Sequence, residues 1–208
     1  MTTLATTRKT GKNGRTRSAV LLSLAVGAAL AGMVALAGTA QQAEAAFTQK
    51  IVFTSNRTTG TGVDNPTGDR EIFKMNPDGT GLKQLTFNTA SEYEPVISLD
   101  GKKIAYESVG IQSSNPEGDP EIYRVNVLDG LGKKNLSNNG LGVYDELPSF
   151  SPDGAKIAYD SHGPQNSNPE GDDEIYRVNV LDGLGKKNLT DNGAGVYDQT
   201  PSWGRQTM

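Results

Sequence analysis

Apolar and polar positions alternate along most of this chain, and the alternation returns at a fixed interval. In Glu174-Ile175-Tyr176-Arg177-Val178-Asn179, Ile175 and Arg177 face one way while Tyr176 and Val178 face the other, the period of two expected of a strand. The stretch Glu121 to Leu136, E-I-Y-R-V-N-V-L-D-G-L-G-K-K-N-L, recurs letter for letter at Glu174 to Leu189, and a looser copy runs from Glu71 to Leu85. Ile51, Ile104 and Ile157 each open the same apolar run at intervals of 53 residues, as do Pro95, Pro148 and Pro201. Such self-similarity is the mark of a repeat architecture. No part of the repeats has helical periodicity.

Each unit predicts four short strands with turn signals between them. In the third unit these are Leu147-Pro148-Ser149-Phe150-Ser151, Lys156-Ile157-Ala158-Tyr159, the 174–179 run and Lys187-Asn188-Leu189-Thr190. Pro152-Asp153-Gly154 closes the first hairpin, and Asp182-Gly183, like Asp129-Gly130, closes the last. The expected fold class is therefore all-β, with three repeats of about 53 residues forming β-propeller blades of four antiparallel strands. The blades are expected at about 50–94, 95–147 and 148–203 of a propeller region spanning 46–208. Counting from Ile51 to Trp203 gives twelve expected strands, the last of which matches the first strand of a blade. Three blades fall short of the usual four to eight. A homodimer forming a six-bladed ring, each C-terminal strand completing the partner's first blade, answers that shortage; an open half-propeller is the other reading.

Composition changes the picture at the N-terminus. Residues 1–18 carry Arg8, Lys9, Lys12, Arg15 and Arg17 without an acid, an apolar run follows from Ala19 to about Gly38, and Ala43-Glu44-Ala45 offers small residues for cleavage. This is the layout of a signal peptide at 1–45, with an uncleaved membrane anchor as the alternative. The leader takes five basic residues and one acidic residue of the chain's 20 and 24, leaving 15 and 23. An acidic, exported chain is a poor nucleic-acid binder, and a secreted or periplasmic, cell-envelope location is expected. With no cysteine there is no disulfide framework and no thiolate chemistry.

The run P-S-F-S-P-D-G-A-K-I-A-Y, then a loop, E-I-Y, D-G and N-L-T resembles the WD40-like repeat of the TolB-type β-propeller family. The resemblance covers the propeller part alone, residues 50–203, and not the N-terminal α/β domain of that family. It implies binding and scaffolding rather than chemistry, and fold alone does not give function. These units depart from the pattern by their length, the excess lying at 54–70, 107–120 and 160–173.

Strand alternation sends the loops to two faces. Tight turns with Lys102, Lys103, Lys133, Lys134, Lys156, Lys186 and Lys187 lie on one. The long loops and blade connections, with Asp69, Glu117, Asp119, Glu170, Asp172, Asp173, Tyr144, Asp145, Tyr197 and Asp198, lie on the other. Long loops on a rigid scaffold are where binding resides, so this acidic face is the candidate site for a protein, peptide or envelope polymer. Asn65-Pro66-Thr67-Gly68-Asp69, Asn115-Pro116-Glu117-Gly118-Asp119 and Asn168-Pro169-Glu170-Gly171-Asp172 repeat in all three loops. They read as Asn-capped turns, with calcium held by Asp69, Asp119 and Asp172 as the alternative, a structural metal rather than a catalytic one. His162 is the lone histidine, so a His-based zinc site is excluded. No G-x-S-x-G elbow occurs. No cofactor is expected, and a propeller-type hydrolase or lyase remains the third reading, with no residues singled out for catalysis.

Overall fold

The alternating runs become strands. The computed structural model describes residues 49–204, and the expected signal peptide at 1–45 lies outside the described residues. The strands are β1 (Ile51–Ser55), β2 (Glu71–Met75), β3 (Lys83–Gln84), β4 (Ser91–Ile97), β5 (Lys103–Val109), β6 (Glu121–Asn126), β7 (Lys134–Asn135), β8 (Tyr144–Phe150), β9 (Lys156–His162), β10 (Glu174–Asn179) and β11 (Lys187–Asn188). They form three antiparallel sheets in the orders β1-β2-β3, β4-β5-β6-β7 and β8-β9-β10-β11. The all-β, blade-like architecture expected from the repeat is present.

One strand of the expected twelve is missing. Thr200-Pro201-Ser202-Trp203 forms no strand among the described residues. A strand exists only through its ladder, and no neighbouring strand lies beside this segment. The first strands also begin earlier than expected, at Ser91 and Tyr144, because each contains a bulge. The register shifts between Tyr93 and Val96 in β4 and between Glu146 and Ser149 in β8. Glu94 and Leu147, 53 residues apart, sit at φ 48° and 55° inside these bulges.

Because side chains alternate, each sheet has two faces to bury, and neighbouring sheets share the task. Ile72 and Leu85 of the first sheet pack against Ile104, Tyr106, Tyr123, Val125 and Val127 of the second. On the other face of the second sheet, Ala105, Ile122 and Leu136 pack against Ile157, Tyr159, Tyr176, Val178 and Val180 of the third. All of the core residues named here are buried, a large aliphatic or aromatic side chain contributing about 1.5–3 kcal/mol. The four equivalent tyrosines stack in pairs, Tyr106 on Tyr123 and Tyr159 on Tyr176, with ring centroids 6.0 Å apart in both.

The seams are locked at the tight-turn end by long basic side chains. Lys74 Nζ donates to the carbonyls of Val127 and Leu128 in the second sheet's hairpin. Arg124, at the equivalent place, donates to Val180 and Leu181 in the third. The hairpin glycine makes this approach possible. A Cβ on Gly130, at φ 80°, would lie 2.0 Å from the Leu85 carbonyl oxygen across the first seam, whereas one on Gly183 would lie 3.0 Å from that of Leu136. Gly130→Ala therefore loses more than about 1 kcal/mol of stability, and clearly more than Gly183→Ala, in thermal unfolding of the two variants side by side.

Candidate functional site

The long-loop end of each seam is built by a repeated carboxylate junction. At the second seam, Glu121 opens β6 and accepts from the Asn139 backbone N–H at 2.7 Å and from the Ser137 hydroxyl, which itself accepts from Ile122 N–H at 3.0 Å. The Asn139 side-chain amide donates onward to Asp145 on β8. The first seam repeats this with Glu71, Asn88 and Glu92. Asn88 N–H donates to Glu71 at 2.8 Å and its amide to Glu92 at 2.7 Å. At the third position Asn192 donates through its backbone to Glu174 at 2.8 Å and through its side chain to Asp198. One asparagine thus ties β2 to β4 at the first seam and β6 to β8 at the second, and at the third position joins β10 to the segment that follows β11.

These carboxyls are buried, and burial opposes ionisation. Desolvation, with a hydrogen bond and repulsion from Glu71, raises Glu92 to about 9. Desolvation first and Asp145 second raise Glu121 to about 7, and Asp145 itself is raised by burial to about 6. Lysines moderate the charge. Lys133 lies over the Tyr123 ring, 5.0 Å from its centroid, and attracts Glu92 and Glu71. Lys186 lies 5.2 Å over Tyr176 and attracts Asp145 and Glu121.

The expected acidic face is thus divided between buried and accessible groups. Asp119, Asp145 and Asp172 are buried. Asp119 accepts from Gly142 N–H at 3.0 Å and Asp172 from Gly195 N–H at 2.9 Å, bonds that hold the long loop to the blade connection. Asp69, Asp173 and Asp198 are half-buried, and Asp173 is bonded to His162 Nδ1 at 2.7 Å and to Gln199. Glu117, Glu170, Tyr144 and Tyr197 are exposed. Beside them lies a group that the repeat pattern did not single out. Glu107 on β5 is raised to about 8 by burial and by Glu146 and Glu94. Asp160 on β9 is raised to about 7 by burial, Asp173 and Glu146. Their spacing of 53 residues was the available signal. On the opposite face, Lys50, Lys74, Lys102 and Lys103 line a cavity of about 490 Å³.

Each loop asparagine caps its own turn. Asn115 accepts from Gly118 N–H at 2.9 Å and donates to the Asp119 carbonyl at 2.6 Å, and Asn168 repeats this with Gly171 and Asp172. One carboxylate oxygen of each of Asp69, Asp119 and Asp172 is buried without a protein partner. Among the described residues, no group of three or more His, Cys, Asp or Glu side chains converges so as to hold a metal ion. His162 pairs with a carboxylate but sits beside no nucleophile that it could activate: Ser161 is buried within β9 and accepts from the Gln165 side-chain amide at 2.7 Å.

No family model matches the chain. It is 32% identical over 147 residues to the Protein TolB homolog of Chlorobaculum tepidum, an alignment covering 71% of this chain and 28% of that protein. It is 28% identical over 137 residues to the Tol-Pal system protein TolB of Desulfosudis oleivorans, covering 66% and 25%. The crystal structure of TolB from Acinetobacter baumannii superposes with a TM-score of 0.50 at 22% identity, over 85% of this chain and 39% of that one. The chain spans between 25% and 28% of the length of these two curated relatives.

The raised carboxyls set the sign of the pH dependence. A carboxyl whose folded pKa lies above its unfolded value holds its proton in the native state after the unfolded chain has lost it. Stability therefore falls as pH rises from about 4.5 through the folded values near 6, 7, 8 and 9 of Asp145, Glu121, Glu107 and Glu92. Thermal melts should give a higher midpoint at pH 5 than at pH 8.5. Glu107→Gln, which removes one of these charges, should narrow the difference.

Proposed function

We propose, from the premise that the described part of this chain is a TolB-type β-propeller, that it is an exported, non-catalytic binding or assembly module of the cell envelope. Its partner is a protein, peptide or envelope polymer engaged by the acidic long-loop face. The observation that carries the reading is the crowding of Glu94, Glu107, Glu146, Asp160 and Asp173 at that end of the second and third sheets. There, burial first and repulsion between neighbouring carboxylates second raise Glu94, Glu107 and Asp160 together. Among the described residues the only ion pairs are Lys102 with Asp100 and His162 with Asp173, so Glu94, Glu107, Glu146 and Asp160 stand without a basic partner. Such a surface favours a partner that brings positive charge.

Two further observations support the same reading. The loops that display Glu117 and Glu170 are held in shape by their own asparagines and by Asp119 and Asp172, so the face is pre-organised rather than loose. The relative from Desulfosudis oleivorans is named for the Tol-Pal system, which supports an envelope assembly as the setting. Enzymatic readings have less behind them. The paired carboxyls of the seams, Glu71 with Glu92 and Glu121 with Asp145, are buried away from any substrate.

A photo-crosslinking residue placed at Glu117 or Glu170 in the host should capture a partner. The same residue at Asp153 on the tight-turn face should not. Charge reversal of Glu146 together with Glu94, both on the surface, should abolish capture at Glu117 while leaving the melting temperature within a few degrees. Equal capture on both faces, or capture indifferent to the reversal, rules out the acidic face as the docking site.

A further inference from the structure

We infer that a second copy of this chain docks its first sheet onto the outer face of the third sheet, making between molecules the same seam that joins sheets within one. The two halves of that seam are both present, and among the described residues no sheet covers either. Ile72 and Ile122, and likewise Leu85 and Leu136, are buried by the following sheet. Their counterparts Ile175 and Leu189 on the third sheet are half-buried and 44% exposed. Conversely, Ile104 and Ile157 are buried against the preceding sheet while Ile51 is 40% exposed. Phe53 and Met75, at the positions of Tyr106 and Val125, are also only half-buried. What one outer face presents is what the other outer face receives in the two seams already formed.

The edge of the first sheet fits the same reading. β5 pairs with β4, and β9 with β8, but among the described residues β1 has only β2 as neighbour. Tyr197 to Trp203 has the backbone of the strand that β1 lacks. Asp198 N–H donates to the Asp173 carbonyl at 2.8 Å, as Glu92 does to Arg70 and Asp145 to Pro120. Thr200 stands at φ 56°, the bulge conformation of Glu94 and Leu147. A segment held in strand form without a ladder, and a strand with an open edge, are matching parts. Carried over from β8 and β9, the register sets Trp203 against Ile51, Ser202 against Val52, Gln199 against Thr54 and Asp198 against Ser55.

The charge pattern agrees independently. At the first two junctions the acid pair is answered by a lysine over the aromatic ring of the following sheet, Lys133 over Tyr123 and Lys186 over Tyr176. In the first sheet the equivalent ring is Phe73, and the cation over it is Arg57, 4.9 Å from the centroid. Arg57 donates to Ser55 at 2.9 Å, the residue that the register places opposite Asp198. The Arg57 of one copy therefore answers Glu174 and Asp198 of the other. Two copies related by a two-fold axis make this contact twice, giving six blades, within the usual four to eight.

The natural absence of cysteine makes the test direct. In the full-length chain carrying Val52→Cys and Ser202→Cys, oxidation should give a covalent dimer. The same rung inside the third sheet, Ser149→Cys with Ala158→Cys, should close within one chain. Light scattering of the wild-type chain should give twice the chain mass. Arg57→Glu and Asp198→Arg should each weaken association at least tenfold, and together they should restore it. A wild-type chain of single mass at micromolar concentration overturns the inference, as does a dimer that neither charge reversal disturbs.

Discussion

A sheet with apolar residues on both faces cannot be stable alone, and everything else in this structure follows from that constraint. The second sheet shows it most fully, with Ile104, Tyr106, Tyr123 and Val125 turned to one neighbour and Ala105, Ile122 and Leu136 to the other. Repetition of one sequence is the economical solution, because a face that fits its neighbour once fits it again. The price is that the polar ends of the seam repeat as well, so buried acids accumulate in equivalent places. Asn88, Asn139 and Asn192 distribute hydrogen bonds to them, and Lys133 and Lys186 supply charge. Rigidity of the seams in turn gives the long loops a fixed base.

The repeat made much of this legible before any coordinates. Three units, the four-strand form of the second and third, and the burial of Tyr106, Tyr123, Tyr159 and Tyr176 all follow from period-two alternation and a spacing of 53 residues. The bulges were not legible, because nothing in Tyr144-Asp145-Glu146-Leu147 distinguishes a bulged strand from a connection, and Leu147 at φ 55° is an unlikely residue for that conformation. Strand status for Thr200 to Trp203 could not be read either, since it depends on a neighbouring edge and not on local pattern.

Which end of the sheets each acid occupies was legible, but whether it is buried or accessible was not. Alternation sent Asp119, Asp145 and Asp172 to the correct end of the sheets, yet they are buried and serve the scaffold, while Glu117 and Glu170 remain accessible. A one-dimensional pattern reports which way a side chain leaves the strand, not whether a backbone N–H such as that of Gly142 or Gly195 is waiting for it. Glu107 and Asp160 were overlooked for the converse reason. They lie within strands, where acids on an alternating pattern read as solvent-facing, and only the approach of Glu146 from the neighbouring strand and sheet reveals the crowding.

The two acidic systems therefore have different physical roles. In the seams each carboxyl is matched by donors from a fixed set of positions, so its charge is consumed in holding sheets together. At the long-loop end the acids of adjacent sheets repel one another with little to answer them, a cost that folding tolerates only where something else gains by it. Structural need accounts for Glu121 and Glu174, which recur at equivalent positions with equivalent bonds. It does not account for Glu94, which is replaced by Leu147 and Thr200 in the other units. Departure from the repeat, rather than conformity with it, is what separates residues of the surface's own chemistry from those of the scaffold.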